Sequence, residues 1–172
     1  MLLALLAAAA IVAPAGRDVV DPIVLRSTII DMHADERGRV GSPPLSWSDD
    51  LADEAAVWAG TLAASGRFEH DPSNEDHGEN LWMGTRGYYT LRHMITGWSE
   101  EKSHLRGMRS WEDDHHRVGH YTQMVWKDTR SVGCAIARNR TDEFLVCRYD
   151  PPGNVLGESP FVGDGGTAPP PR

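Results

Sequence analysis

Apolar residues at helical spacing through the first part of the chain, followed by two short strand-like segments near its C-terminal end, predict an α+β fold. Three helices and a few antiparallel strands imply a layered sandwich. A chain of 172 residues holds one domain, and 40% hydrophobic residues, with six Trp among them, supply a core.

The elements read as follows. Met1 to Val12 is nearly all Leu, Ala, Ile and Val, and Ala13-Pro14-Ala15 is a small-x-small cleavage pattern, so residues 1–15 are expected to be an export signal. The run is shorter than the about 20 residues a bilayer-spanning helix needs. No Lys or Arg precedes Leu2, and the alternative is an uncleaved apolar anchor. No other segment is apolar enough to cross a membrane. Asp21-Pro22 opens a first helix, with Pro suited to its first turn. Ile23, Arg26, Ile30, His33 and Arg37 fall at helical spacing, and Gly38, Gly41, Pro43 and Pro44 end it. Ser48 is the expected N-cap of a second helix with the stripe Leu51, Ala55, Trp58 and Leu62, closed by Gly66. Residues 67–87 read as loop around a short apolar run, Leu81-Trp82-Met83.

A third helix is expected from Tyr88 to Leu105, with Leu91, Met94, Ile95 and Trp98 facing inward. Gly107 to Gly119 is polar and loop-like, and Tyr121 to Trp126 is a helical turn or a strand. Ser131 to Ala137 and Glu143 to Tyr149 are strands joined by Asn139-Arg140-Thr141-Asp142 as a hairpin connection. Trp47, Trp58, Trp82 and Trp126 are expected in the core. The domain spans residues 22–162, and the Gly/Pro-rich tail, 163–172, is expected to be disordered.

The formal net charge of -8 repels a phosphate backbone and argues against nucleic acid as a partner. Export into an oxidising compartment favours pairing of the two cysteines, Cys134 and Cys147, which neighbouring strands place within reach. The alternative is two free, buried thiols.

Four groups stand out as carriers of chemistry: His70, Glu79, Glu101 and His120. Glu101 continues the inward series 91, 94, 98, whereas Glu100 falls about 100° away. An acid on an apolar face needs a partner, and a histidine is suitable. The alternative is an exposed helix end.

Gly119-His120-Tyr121-Thr122-Gln123-Met124-Val125-Trp126 resembles a signature of the CAP family, which groups cysteine-rich secretory proteins, antigen 5 and pathogenesis-related proteins. Cys147-Arg148-Tyr149-Asp150-Pro151-Pro152-Gly153-Asn154 is similar to its second signature, C-x-Y-x-P-x-G-N, and Gly78-Glu79-Asn80-Leu81 to its GENL. His33 to Arg37 matches H-N-x-x-R except for Ala34, and His70 is followed by Asp71 where Ser is usual. The five motifs stand in family order.

The resemblance implies an α-β-α sandwich around a small antiparallel sheet, with His70, Glu79, Glu101 and His120 converging in an open cleft. His33 belongs to a motif that is mainly structural in the family. Two imidazoles, His70 and His120, are suited to zinc or another divalent metal, with the glutamates accepting their N–H groups. Paired His and Glu are also a generic acid–base set, and a satisfied polar network is the structural alternative. No Ser or Cys adjoins either histidine, so binding is preferred over enzymatic turnover. The readings carried forward are a secreted metal binder, a metal-assisted hydrolase, and a module that binds another protein through surface loops. A sterol or other lipid is expected in a separate apolar groove along Trp98 to Trp111, including Leu105 and Met108. His115 and His116 are possible extra ligands in an acidic loop, and Tyr121 and Gln123 either line the cleft or cap the following strand.

Overall fold

The computed structural model describes residues 20–106, 108 and 111–163. The expected export signal and the tail after Gly163 lie outside the described residues. Helix α1, Pro22–Val40, starts at Asp21, whose Oδ1 accepts the Ile23 N–H at 2.7 Å, and stops at Gly41 with φ 77°. Its buried residues are Leu25, Ile29, Met32, His33, Glu36 and Arg37. This corrects the expected stripe, since Ile23 is exposed. The inward face is set by two polar residues, His33 and Arg37, which are as buried as the aliphatic ones.

A two-residue strand β1, Ser46–Trp47, leads into helix α2, Asp49–Ser65. Ser48 caps α2 through the Leu51 N–H and Gly66 closes it with φ 70°, as its sequence predicts. The segment read as loop contains strand β2, Gly78–Thr85. Helix α3, Leu91–Glu100, is capped by Thr90 and tightens into a 3-10 turn over Glu101–Leu105, so the third helix is shorter than expected. The polar stretch before Gly119 is partly helical, with a 3-10 segment over Trp111–Arg117. Gly119–Val125 is helix α4, which settles the helix-or-strand alternative. Strands β3, Ser131–Arg138, and β4, Asp142–Asp150, form the expected hairpin.

The sheet order is β1-β3-β4-β2. It is mixed rather than wholly antiparallel, because the short β1 pairs parallel with β3 while β2 and β3 flank β4 antiparallel. The register assigns two faces. On one, Leu81, Phe144 and Val146 pack against Ala55, Ala59 and Leu62 of α2. On the other, Val132, Cys134, Leu145, Cys147 and Tyr149 pack with residues of α1, α3 and α4. This is the α-β-α sandwich. Trp126, Trp98 and Trp111 are the buried indoles; Trp47, Trp58 and Trp82 are only partly buried. Among the described residues no helix is long and apolar enough to cross a membrane.

Gly133 fixes how close α2 lies to the sheet. A Cβ there would stand 2.3 Å from the Ala52 nitrogen and 2.5 Å from the Ser48 oxygen, both backbone atoms. Gly133→Ala is therefore expected to destabilise the protein by about 3 kcal/mol, read from urea denaturation; an unchanged midpoint would show that α2 is free to retreat. Cys134 and Cys147 are cross-strand partners joined by a disulfide that closes a separation of 13 residues. Reduction is expected to remove about 3 kcal/mol of stability, measured with and without reductant.

Candidate functional site

The four expected site residues form two histidine–glutamate pairs. His70 lies in the loop after α2 and Glu79 near the start of β2, and His70 Nδ1 is 2.5 Å from Glu79 Oε1. The same oxygen accepts the Asp71 N–H at 3.2 Å. Glu79 Oε2 lies 3.2 Å from Nη2 of Arg148, its cross-strand neighbour. That Nη2 also donates to Asp71 Oδ2 at 2.6 Å. The Glu79 and Arg148 side chains are 5% and 3% exposed, so each charge is buried with its counter-charge. The His70 side chain, 67% exposed, reaches solvent. Burial pushes the Asp71 carboxyl up, but hydrogen bonds from Ser73 and Arg148 outweigh it and hold the group below its usual range.

Glu101 opens the 3-10 turn after α3, and its Oε1 is 2.6 Å from His120 Nδ1. Its Oε2 accepts the N–H groups of His120 at 2.9 Å and Tyr121 at 3.1 Å. Helix α4 has no side-chain cap at its N-cap residue, so this carboxylate fills that role from another element. The Trp98 ring stacks on the His120 imidazole, centroids 5.9 Å apart and planes 11° from parallel.

A carboxylate only accepts, so each Nδ1 donates; in the neutral ring the lone pair is then on Nε2. Among the described residues neither Nε2 has a hydrogen-bond partner. Two neighbours in β2 tie the pairs together. The Glu79 side chain holds His70, and Asn80 Nδ2, pointing to the opposite face, donates to the His120 carbonyl at 3.1 Å and to the Tyr149 hydroxyl at 3.2 Å.

Among the described residues no group of three or more His, Cys, Asp or Glu is arranged to hold a metal ion. Glu79 Oε1 and both Glu101 oxygens meet N–H groups and Glu79 Oε2 is buried beside Arg148, which leaves the two imidazole Nε2 atoms as the open donor atoms of these four residues. Each imidazole, with its Nδ1–H on a carboxylate, has the support usual for a histidine that ligates a metal ion.

His33 is structural. It is fully buried, with Nδ1 donating to the Ile29 carbonyl at 2.7 Å and Nε2 3.0 Å from the Tyr149 hydroxyl. Tyr121 and Gln123 are 3% and 1% exposed and do not line a cleft. Gln123 instead accepts the Gly153 N–H at 2.9 Å and donates to Thr129 at 3.3 Å. Asn154 takes the Thr122 hydroxyl at 2.6 Å and donates to the Gly119 carbonyl at 2.9 Å, so the second motif braces the first. His115 and His116 are exposed, and His116 pairs with Asp114 at 2.8 Å. Leu105 and Met108 pack, partly buried, against Trp111, Val118 and Trp126.

Sequence reasoning missed Arg148, Asn80, Tyr149 and the stacking role of Trp98. One signal was present: Asp71 stands where Ser is usual and Arg148 fills a variable position of the second motif, a complementary acid and base.

Burial, with the nearby Arg37 charge and against the Ile29 hydrogen bond, drives the His33 pKa from 6.5 to about 4. Between those values the unfolded chain takes up a proton that the folded imidazole refuses. Stability is therefore full above pH 6.5 and falls as the pH drops toward 4, by about 1.4 kcal/mol per pH unit. Urea denaturation across this window should show the slope in the wild type and lose most of it in His33→Gln; equal slopes would assign the acid lability elsewhere.

Residues 30–149 match the family described as the cysteine-rich secretory protein family, CAP. Pathogenesis-related protein 1C of Nicotiana tabacum is 37% identical over 133 residues, covering 77% of this chain and 78% of that protein. Secreted protein RBT4 of Candida albicans is 34% identical over 138 residues, covering 78% of this chain and 37% of its own length. Among solved structures, NaASP2 with Zn2+ superposes with a TM-score of 0.69 at 22% identity, over 81% of this chain and 86% of that one. At that identity the likeness speaks for the fold. The matched segment, the tobacco relative and the motif order together place this chain in the CAP family.

Proposed function

We propose that this chain is a secreted CAP-domain protein that binds a divalent cation through Nε2 of His70 and Nε2 of His120. One observation carries the reading: each imidazole commits its Nδ1–H to a carboxylate and presents its remaining lone pair on Nε2. Zinc suits two imidazoles with positions left for water, and NaASP2 of the same fold has been solved with Zn2+. A bound cation would supply a Lewis-acidic point that holds an oxygen ligand. The protein's own part is orientation. Glu79 and Glu101 fix the ring tautomers, Arg148 keeps the Glu79 carboxylate compensated, and Trp98 fixes the plane of His120. Location outside the cytoplasm is supported by the N-terminal apolar run, the Cys134–Cys147 disulfide and the secreted Candida relative. A sterol or other lipid along Leu105 and Met108, both incompletely buried, belongs to the same proposal as a second ligand.

Calorimetry on metal-free protein at neutral pH tests the site. The double variant His70→Ala, His120→Ala is expected to lose most Zn2+ affinity, and Glu101→Gln to weaken it about 10- to 100-fold. Acidification weakens binding because protons compete for Nε2. Equal Zn2+ binding by wild type and the double variant would sink the assignment and turn attention to His115 and His116. Turnover of peptide or ester libraries that a chelator abolishes would move the reading from binding to metal-assisted hydrolysis.

A further inference from the structure

A depression of about 290 Å³ lies on the α2 side of the sheet, lined by α2, the loop of residues 71–77 and β4. Its lining includes Arg148, the residue that anchors Glu79 and Asp71 through Nη2. The other two nitrogens of that guanidinium, Nε and Nη1, are buried and have no protein hydrogen-bond partner among the described residues. Arg148 is 2% exposed. A charged donor so deeply buried is costly to leave unmet, and Arg stays protonated, so an acceptor is called for. His77 Nδ1, also in the lining, is likewise buried without a hydrogen-bond partner.

The rim has the opposite character. Glu54, Glu75 and Asp76 line the same depression and are exposed. Asp71 and Glu79 already neutralise Arg148, so a free anion would enter a field dominated by carboxylates. A ligand matched to both levels carries a neutral oxygen acceptor that points inward and a positive charge that stays outside. A carbonyl beside a basic side chain has this form, and the net charge of -8 steers cationic partners toward the surface.

We propose that this depression binds a basic peptide segment, with a main-chain carbonyl accepting from Nε or Nη1 of Arg148 and a Lys or Arg side chain lying against Glu54, Glu75 and Asp76. The site uses none of the imidazole Nε2 atoms, so it stands or falls apart from cation binding. It does share Arg148 with the His70–Glu79 pair.

The test titrates the full, disulfide-bonded chain with acetyl-Gly-Lys-Lys-Gly-amide and with its counterpart in which Glu replaces both Lys. Nitrogen–proton spectra follow the Arg148 Nε–H signal. The Lys peptide is expected to shift that signal and to bind more weakly as salt rises, while the Glu peptide leaves it in place. Removing Arg148 would leave Asp71 and Glu79 buried without their cation, so the deciding variant is on the rim. Glu54→Gln, Glu75→Gln, Asp76→Asn is expected to weaken the Lys peptide at least about 10-fold, with an unchanged circular dichroism spectrum and unchanged Zn2+ affinity. Equal binding of the two peptides, wild-type binding by the rim variant, or an unmoved Arg148 signal at saturation would each overturn the proposal.

Discussion

The Tyr149 hydroxyl is the point on which both faces of the site depend. It is buried on β4, donates to His33 Nε2 of α1, and accepts from Asn80 of β2. Asn80 then holds the carbonyl of His120 at the start of α4. Three elements meet at one oxygen and a fourth joins through Asn80, and each hydrogen bond has a defined direction because His33 spends its only proton on the Ile29 carbonyl. Burial raises the phenol above its ordinary range and lowers the imidazole, so neither charges near neutrality and the chain of donors keeps its sense. His120, the proposed cation ligand of α4, is thereby placed by a network in which it takes part only through its backbone.

Two buried arginines show two ways of housing a charge. Among the described residues Arg37 meets no carboxylate; its nitrogens donate to the carbonyls of Pro43, Met124, Trp126 and Thr129. Those carbonyls lie after α1, at the end of α4 and in the turn before β3, so a single side chain gathers segments remote in sequence. Arg148 instead faces two carboxylates, which binds its placement to that of Glu79 and His70. The first arrangement is scaffolding, while the second lies under a side chain that reaches solvent.

What the sequence disclosed follows the range of the interactions. Helix α2 was legible because Ser48 and Gly66 act on their own neighbours. The β3–β4 hairpin was legible because its strands alternate around a short connection. Strand β2 was hidden because its polar residues are satisfied at long range: Asn80 meets Tyr149 across 69 positions, and Glu79 meets Arg148 across the sheet. On α1 the expected stripe reached His33 and Arg37, which are held inward by partners elsewhere, but it included the exposed Ile23 and Arg26 and missed Leu25, Ile29 and Met32. The four site residues came from family motifs, and the two pairings from the geometry; local pattern alone supported only the inward placement of Glu101.

Glu79 and Asn80 are adjacent, yet one serves the α2 face and the other the opposite face, on a strand with a single neighbour in the sheet. A slip of β2 by one position would exchange them. Glu79 would then be turned toward the face that carries the disulfide and Tyr149, and Asn80 would be left opposite a guanidinium with no carboxylate to offer. Backbone pairing alone does little to forbid such an error at a sheet edge, but these side chains do. The dipeptide thus acts as a proofreading step in assembly, admitting only the alignment in which both histidines find their supports.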